Sequence, residues 1–367
     1  MSDKDVHEDG MKRVPYDHLK KACRSIFIEA GISEGGSETI ADCLVQTSAR
    51  GVHTHGVMRM GMYTKSLRTD DIDPAASPEV VKESAGTALI DMNNGMGHIG
   101  GAMAMEMATD KAKKCGVGCV GVAHSTHFGA AGYYALKAVE GDCVGIALTN
   151  APAVMAPWGG VERLVGNNPF AIGFPPGDRV EFPIVLDMAI SKVSNTRVRQ
   201  AARSAKAGEG EVPPGWAIDE KGEVTQDEEK ILEGKASVLP IGEHKGYGLA
   251  VMVDLLTGVL MESSFDGRVG HRHTPENEDV AYNMIAIDPE KFTTLGTLRD
   301  NIDQLSEDLK ASRLAEGVGK IYLPGEPEYE KELVSKEQGV PVEEEVVEKI
   351  NELLEEYELQ DLKLSSL

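Results

Sequence analysis

No apolar run in this 367-residue chain approaches the ~20 residues that a helical membrane span requires, so none is expected. Cysteine is scarce. Its five residues are odd in number and show no disulfide-like grouping, which excludes a disulfide scaffold and points to a reducing, cytoplasmic setting. Cys115 and Cys119 read as small buried residues rather than half of a zinc site, because no second pair completes one. Positive charge is also in deficit, with 37 basic against 60 acidic residues and a formal net charge of -23. A surface so acidic repels phosphate backbones, so nucleic acid is not an expected partner. The opening stretch MSDKDVHEDGMKRV is charged and lacks an apolar segment, so no secretory signal is expected.

What is present is enough apolar material, 41% of residues, to bury large cores in two or three domains. Residues 16–67 read as helices: DHLKKACRSIFIEAG, then SEGGSETIADCLVQTSARG with Ser37 as a capping residue ahead of Ile40 and Leu44, then a third helix beginning near Thr54. A polar stretch with Pro74 and Pro78 suggests a boundary. From residue 80 onward short apolar strands alternate with helices, the clearest strands being VGIALTN, FAIGFP, PIVLDMA and YNMIAIDP. SNTRVRQAARSAKAG and HKGYGLAVMVDLLTGVLM read as helices, and GEGEVPPG as a surface excursion. The expected organisation is an N-terminal helical region over 1–75, an α/β core over 76–295 with an inserted segment near 207–240, and a C-terminal helical region over 296–367 packing with the first. In the acidic tail, Val346, Ile350, Leu353 and Leu354 form one apolar helix face and the glutamates a solvated one.

NNGMGHIGG places Gly95, Gly97 and Gly100 at the G-x-G-x-x-G spacing between a strand-like TALIDMNN and a helix-like segment. That pattern suits a pyrophosphate loop. The next strand, however, ends in His124, Ser125, Thr126 and His127, where a Rossmann unit wants a carboxylate for the ribose. A plain strand-to-helix turn is the better reading of the pattern.

Ten histidines carry more information, most of them in three clusters. In GVHTHGVMRMGMY, a helical spacing puts His55 and Arg59 on one face, beside Thr54. An imidazole next to a bidentate cation is what a 2-oxo acid reductase needs: Arg59 to clamp a carboxylate, His55 to protonate the alkoxide. An ordinary polar surface helix is the alternative. HSTHFGAAGYY puts His124 and His127 at a strand end, where α/β folds gather function. Asp187, closing PIVLDMA, orients one of these imidazoles or caps the following helix. His271 and His273 read as a solvated turn. The paired histidines also permit a zinc hydrolase with a carboxylate as third ligand, although neither spacing is a recognised metal motif, and no metal is assigned.

RGVHTHGVMR, HSTHFGAAGYY, LTNAPAVMAPWGG, VGNNPFAIGFP, PIVLDMAIS, LPIGEHKGYGLA and YLPGEPE occur in the order found in the malate/L-lactate dehydrogenase family, which this chain resembles from about residue 16 to its end. That group of non-Rossmann NAD(P)-dependent 2-hydroxyacid dehydrogenases has sulfolactate, ureidoglycolate, diketogulonate and imino-acid reductase relatives. The resemblance implies an α/β fold whose central, mostly antiparallel sheet holds the nucleotide, flanked by helical regions from both chain ends, and a homodimer with shared active sites. NNGMGHIGG is then a structural turn. It also implies His55 as proton donor, Arg59 as carboxylate clamp, His127 and Asp187 as further catalytic residues, and Thr54 where the family usually has serine. Nucleotide contacts are implied for Asp187, Met188, Ala189, Ser191, His244, Lys245, Gly325 and Glu326. NAD is the expected cofactor, with NADP allowed because Arg197, Arg199 and Lys192 are cations available to meet a 2′-phosphate. The expected substrate is malate/oxaloacetate or a lactate-like acid, or alternatively a cyclic imino acid, sulfopyruvate or a diketo sugar acid.

Overall fold

The computed structural model describes residues 10–270 and 278–365, so the His271–His273 cluster lies outside the described residues. The chain begins with β1 (Met11–Val14), α1 (Tyr16–Glu29) and α2 (Glu34–Ala49). Two single 3-10 turns, His53–His55 and Val57–Arg59, then lead into α3 (Met60–Arg68). The cap of α2 is Ser33, which accepts the Gly36 N–H at 3.2 Å, rather than Ser37. Ser37 is buried one turn further in, donating to the Ile32 carbonyl.

The middle of the chain holds β2 (Glu79–Glu83), β3 (Thr87–Asp91), α4 (Gly97–Cys115), β4 (Val117–Ser125), α5 (Ala131–Glu140), β5 (Val144–Thr149), β6 (Ala153–Met155), β7 (Val165–Gly166), β8 (Phe170–Phe174) and β9 (Ile184–Met188). It continues through α6 (Asn195–Lys206), β10 (Ala217–Ile218), β11 (Val224–Thr225), α7 (Glu228–Leu232), β12 (Ser237–Val238) and α8 (His244–Asp254), which runs into a π-helical turn, Leu255–Val259. The remainder is β13 (Val280–Ile287), α9 (Leu295–Lys310), α10 (Glu326–Gln338), β14 (Val340–Glu343) and α11 (Glu344–Glu356).

A seven-stranded sheet in the order β2-β3-β4-β13-β5-β8-β9 forms the centre. Only β3 and β4 pair in parallel, across the α4 crossover, and every other ladder in that sheet is antiparallel. The α4 crossover and α5 pack on it over a core containing Val120, Val122, Phe128, Tyr134 and Tyr282. This is an α/β fold without the parallel Rossmann order. GEGEVPPG is irregular and mostly exposed, and the inserted segment near 207–240 that contains it supplies β10, β11 and β12, which join β6 and β7 in a second, five-stranded sheet.

Both chain ends build one helical region. β1 pairs antiparallel with β14, and a single core joins Leu19, Ile26, Leu44 and Tyr63 to Val347, Ile350, Leu353 and Leu354. Val347, rather than Val346, is the fully buried valine of the α11 stripe. The helix α9 stays with the central sheet instead, where Asp303 accepts the N–H groups of Asp178, Arg179 and Val180.

The glycines of NNGMGHIGG serve packing. A Cβ on Gly97 would overlap the Thr126 carbonyl and the Tyr282 hydroxyl, one on Gly100 the Met92 sulfur, and one on Gly101 the Tyr134 ring. Gly97 N–H, at the start of α4, is taken by Thr126 Oγ1 at 3.2 Å, so the helix end that a phosphate would need is sealed by β4.

Candidate active site

The site grows out of the end of α2. Gly51, with φ +81°, turns the chain out of that helix, and residues 53–59 follow as two separate 3-10 turns. The expectation of one helix carrying His55 and Arg59 fails at Gly56. A Cβ there would overlap Ser48 Oγ, the same hydroxyl that accepts the Val57 N–H at 2.9 Å, so the backbone lies flat against α2 and extends (ψ -146°). The two residues still meet, by another route. Arg59 folds back and donates through Nε to the Thr54 carbonyl at 2.6 Å, while Thr54 Oγ1 and His55 Nδ1 lie 3.0 Å apart.

The partner surface is the loop after β4. His127 is held through its backbone N–H, donated to Glu278 Oε2 at 2.8 Å, and its ring stacks on that of His55 with centroids 5.6 Å apart and planes 19° from parallel. Its Nδ1 accepts the Gly129 N–H at 3.2 Å. An amide can only donate, so that nitrogen is unprotonated and the ring proton of neutral His127 sits on Nε2. The fully buried Tyr63 of α3 reaches the same Nδ1 with its hydroxyl at 2.6 Å. Sequence reasoning gave Tyr63 no role. The available signal was a tyrosine one helical turn after Arg59, among the buried Met60, Thr64, Ser66 and Leu67 of α3.

His124 belongs elsewhere. In a left-handed conformation (φ +49°), it bonds Asp91 Oδ2 through Nδ1 at 2.8 Å. Burial opposes its charged form, but the Asp91 hydrogen bond and the charges of Asp91 and Asp279 outweigh this and raise its pKa. The two histidines of the H-S-T-H motif therefore do not converge. Among the described residues no group of three or more His, Cys, Asp or Glu side chains is arranged to hold a metal ion.

His55 and Thr54 open onto a groove of about 1130 Å³. Its walls include Asp187, Met188, Ala189 and Ser191 from β9 and the chain after it, Gly325 from the loop before α10, and the start of α5. Asp187 Oδ2 accepts the Gly132 N–H in the first turn of α5 at 2.8 Å, an approach that any Cβ on residue 132 would crowd. Asp187 is solvent-exposed as a residue, yet protein crowding around its carboxyl penalises the charged form and pushes it up to about 6, reinforced by Glu328 and opposed by the Gly132 hydrogen bond and the Arg50 charge. Gly325 (φ +84°) lets the preceding Pro324 carbonyl accept the Val185 N–H at 3.0 Å, so this loop lies along the β9 edge.

Three residues expected at the nucleotide lie outside that lining. The Glu326 carboxylate is occupied by Lys310 and Lys320, at 2.7 and 2.9 Å, and by the Leu323 N–H, and Glu328 lines the groove in its place. His244 and Lys245 start α8, where the His244 ring meets Trp158 edge-on at 6.2 Å. Arg199 donates to the Ile231 and Leu232 carbonyls that end α7, whereas Lys192 and Arg197 line the groove.

The donor set suits a dinucleotide. The groove lining carries His55, Asp187, Lys192 and Glu328, and the buried Ser191 Oγ on its wall has no hydrogen-bond partner among the described residues, which a bound ligand would relieve. Fold and site together thus define an oxidoreductase-type centre: a paired-imidazole end joined to a long nucleotide-sized groove on a non-Rossmann sheet. Residues 14–351 match the malate/L-lactate dehydrogenase family, to which the chain belongs. It is 34% identical to the malate dehydrogenase of Pyrococcus horikoshii over 96% of this chain and 98% of that protein. It is also 34% identical to the L-sulfolactate dehydrogenase of Methanocaldococcus jannaschii, over 93% and 96%. The structure of malate dehydrogenase from Entamoeba histolytica superposes with a TM-score of 0.88 at 32% identity, covering 95% of this chain and 98% of that one. The protein is an NAD(P)-dependent 2-hydroxyacid dehydrogenase of the malate/lactate type.

Proposed function

We propose that this enzyme interconverts a small 2-oxo acid bearing a second acidic group and its 2-hydroxy acid, with oxaloacetate and malate as the favoured pair. The observation that carries this reading is the stacked His55–His127 pair with Arg59 hooked onto the turn that bears His55. The relatives act on malate or sulfolactate by name, and both are 2-hydroxy acids with a second acidic group.

The nicotinamide supplies a hydride to the carbonyl carbon in reduction, and the carbonyl oxygen takes up one proton as the alcohol forms. Arg59, held by the bond from its Nε to the Thr54 carbonyl, is the clamp for the substrate carboxylate. His127 presents its Nε2–H to the carbonyl oxygen and polarises it as a neutral donor. His55 delivers the proton, with Thr54 Oγ1 accepting from Nδ1 while the ring is charged. Two rings stacked this closely do not readily both become cationic, so one donor stays neutral while the other cycles. Asp187 adds the remaining polar wall. Asp187, Met188, Ala189, Ser191 and Gly325 would hold the nucleotide. A second subunit covers the apolar face of α8, giving a homodimer.

Oxidation of reduced nicotinamide against a panel of oxaloacetate, pyruvate, sulfopyruvate and a cyclic imino acid tests this assignment. Fastest turnover with the dianionic 2-oxo acids is the expected result; preference for the imino acid overturns the substrate class.

A further inference from the structure

Beside the second sheet, two arginines lie close enough for one charge to act on the other, and among the described residues neither is paired with a carboxylate. Arg163 ends the connection from β6 to β7. Arg199 sits in α6 two residues beyond the groove-lining Arg197, a helical offset of about 200° that carries it to the other side, against α7. Neither Arg163 nor Arg199 lines the groove. Both reach the end of α7 and the turn that follows. Arg199 Nη1 and Nη2 donate to the Ile231 and Leu232 carbonyls at 3.3 and 3.0 Å, and Arg163 Nη2 donates to the Ala236 carbonyl. Arg163 Nε is buried with no hydrogen-bond partner among the described residues. Burial and the Arg199 charge hold the Arg163 guanidinium below its usual pKa, and no carboxylate offsets them. The acids of α7 and its end are turned elsewhere: Glu229 pairs with Lys206 at 3.6 Å and Glu233 with Lys235 at 2.7 Å.

Capping of α7 does not account for this pair. The carbonyl end of a helix carries about half a negative charge, against two full positive ones, in a protein whose net charge of -23 leaves acidic side chains in ample supply. Neighbouring guanidiniums with a buried N–H unsatisfied are instead a donor set for an oxyanion. One carboxylate neutralises one guanidinium, whereas a phosphate group, nearly doubly charged at neutral pH, neutralises both. We propose that Arg163 and Arg199, with the turn that follows α7, form a binding site for a phosphate group, separate from the catalytic groove. Its occupant ties the β6–β7 connection to α6, the helix that continues from the groove wall.

Calorimetric titration of the full-length protein with inorganic phosphate, at constant ionic strength and with reduced nicotinamide dinucleotide saturating the groove, reads this without turnover. Saturable binding is expected, and Arg163→Gln and Arg199→Gln should each weaken it by about tenfold or more, the worth of a charge-assisted hydrogen bond. In the wild type, phosphate should also slow hydrogen exchange of the 231–236 amides relative to chloride, a comparison that needs no variant to fold. Glycerol 3-phosphate in the same titration separates the sources: binding extends the site to phosphate esters, and exclusion restricts it to the free ion. The absence of saturable binding by either probe overturns the inference, as does binding that both variants retain in full. Phosphate that binds only when the dinucleotide is left out also overturns it, by placing the ion in the groove, and leaves the dehydrogenase reading intact.

Discussion

His127 stacks on His55 with its ring proton already assigned, because Gly129 and Tyr63 both address Nδ1. Tyr63 is a positioning residue: it fixes ring and tautomer without touching substrate. Tyr63→Phe keeps the aromatic packing on His98 and removes only the hydroxyl. It is expected to lower kcat about tenfold, the worth of one buried hydrogen bond, with KM little changed; steady-state kinetics showing a KM effect alone would contradict this role. Asp187 makes a prediction of opposite character. Its folded value, pushed up to about 6 by protein crowding around the carboxyl, exceeds that of an unfolded carboxyl, so the folded state holds the proton more tightly. The stability it contributes is present at low pH and lost as pH rises through about 6. Asp187→Asn removes the titration while keeping an acceptor for the Gly132 N–H. The thermal midpoint of the wild type minus that of the variant should decline between about pH 4 and about pH 7 and then level off. A difference that rises across this window contradicts the assignment.

At the scale of the element, the same residue types serve different ends, and this limits what sequence can reveal. VGIALTN, FAIGFP, PIVLDMA and YNMIAIDP are strands because their apolar and β-branched residues fit a buried ladder, and all four are found in the central sheet. The fate of Gly56 was not legible, because it depends on Ser48 in a neighbouring helix, and with it went the helical link between His55 and Arg59. Tyr63 was hidden for a related reason: its hydroxyl partner lies 64 positions away. The G-x-G-x-x-G stretch is the sharpest case. Gly97→Ala, overlapping the Thr126 carbonyl, should destabilise the fold by about 1–3 kcal/mol in chemical denaturation. Nucleotide affinity of the folded variant should be unchanged. Lost affinity in a protein that still folds would return the stretch to phosphate binding.

For the whole molecule, charge and surface point the same way. The net charge of -23 disfavours loose association, yet α8 and the π-helical turn after it expose Leu249 (50%), Met252 (50%) and Leu256 (42%) in one run. An apolar face of this kind on an acidic protein marks a specific partner surface, and a second copy is the proposed occupant. Light scattering should give a mass near twice 39.4 kDa for the wild type and near 39.4 kDa for Leu249→Glu. A monomeric wild type, or a variant that remains dimeric, contradicts it. Among the described residues no helix is long and apolar enough to cross a membrane.

The central claim is that His55 exchanges the proton while hydride passes to a 2-oxo acid. Its most direct test compares wild type and His55→Ala for oxaloacetate-dependent oxidation of reduced nicotinamide, with dinucleotide affinity measured on both. Turnover should fall by about 10²–10⁴-fold, the usual worth of a positioned acid, with dinucleotide affinity retained. Turnover that survives the loss of the imidazole would contradict the account.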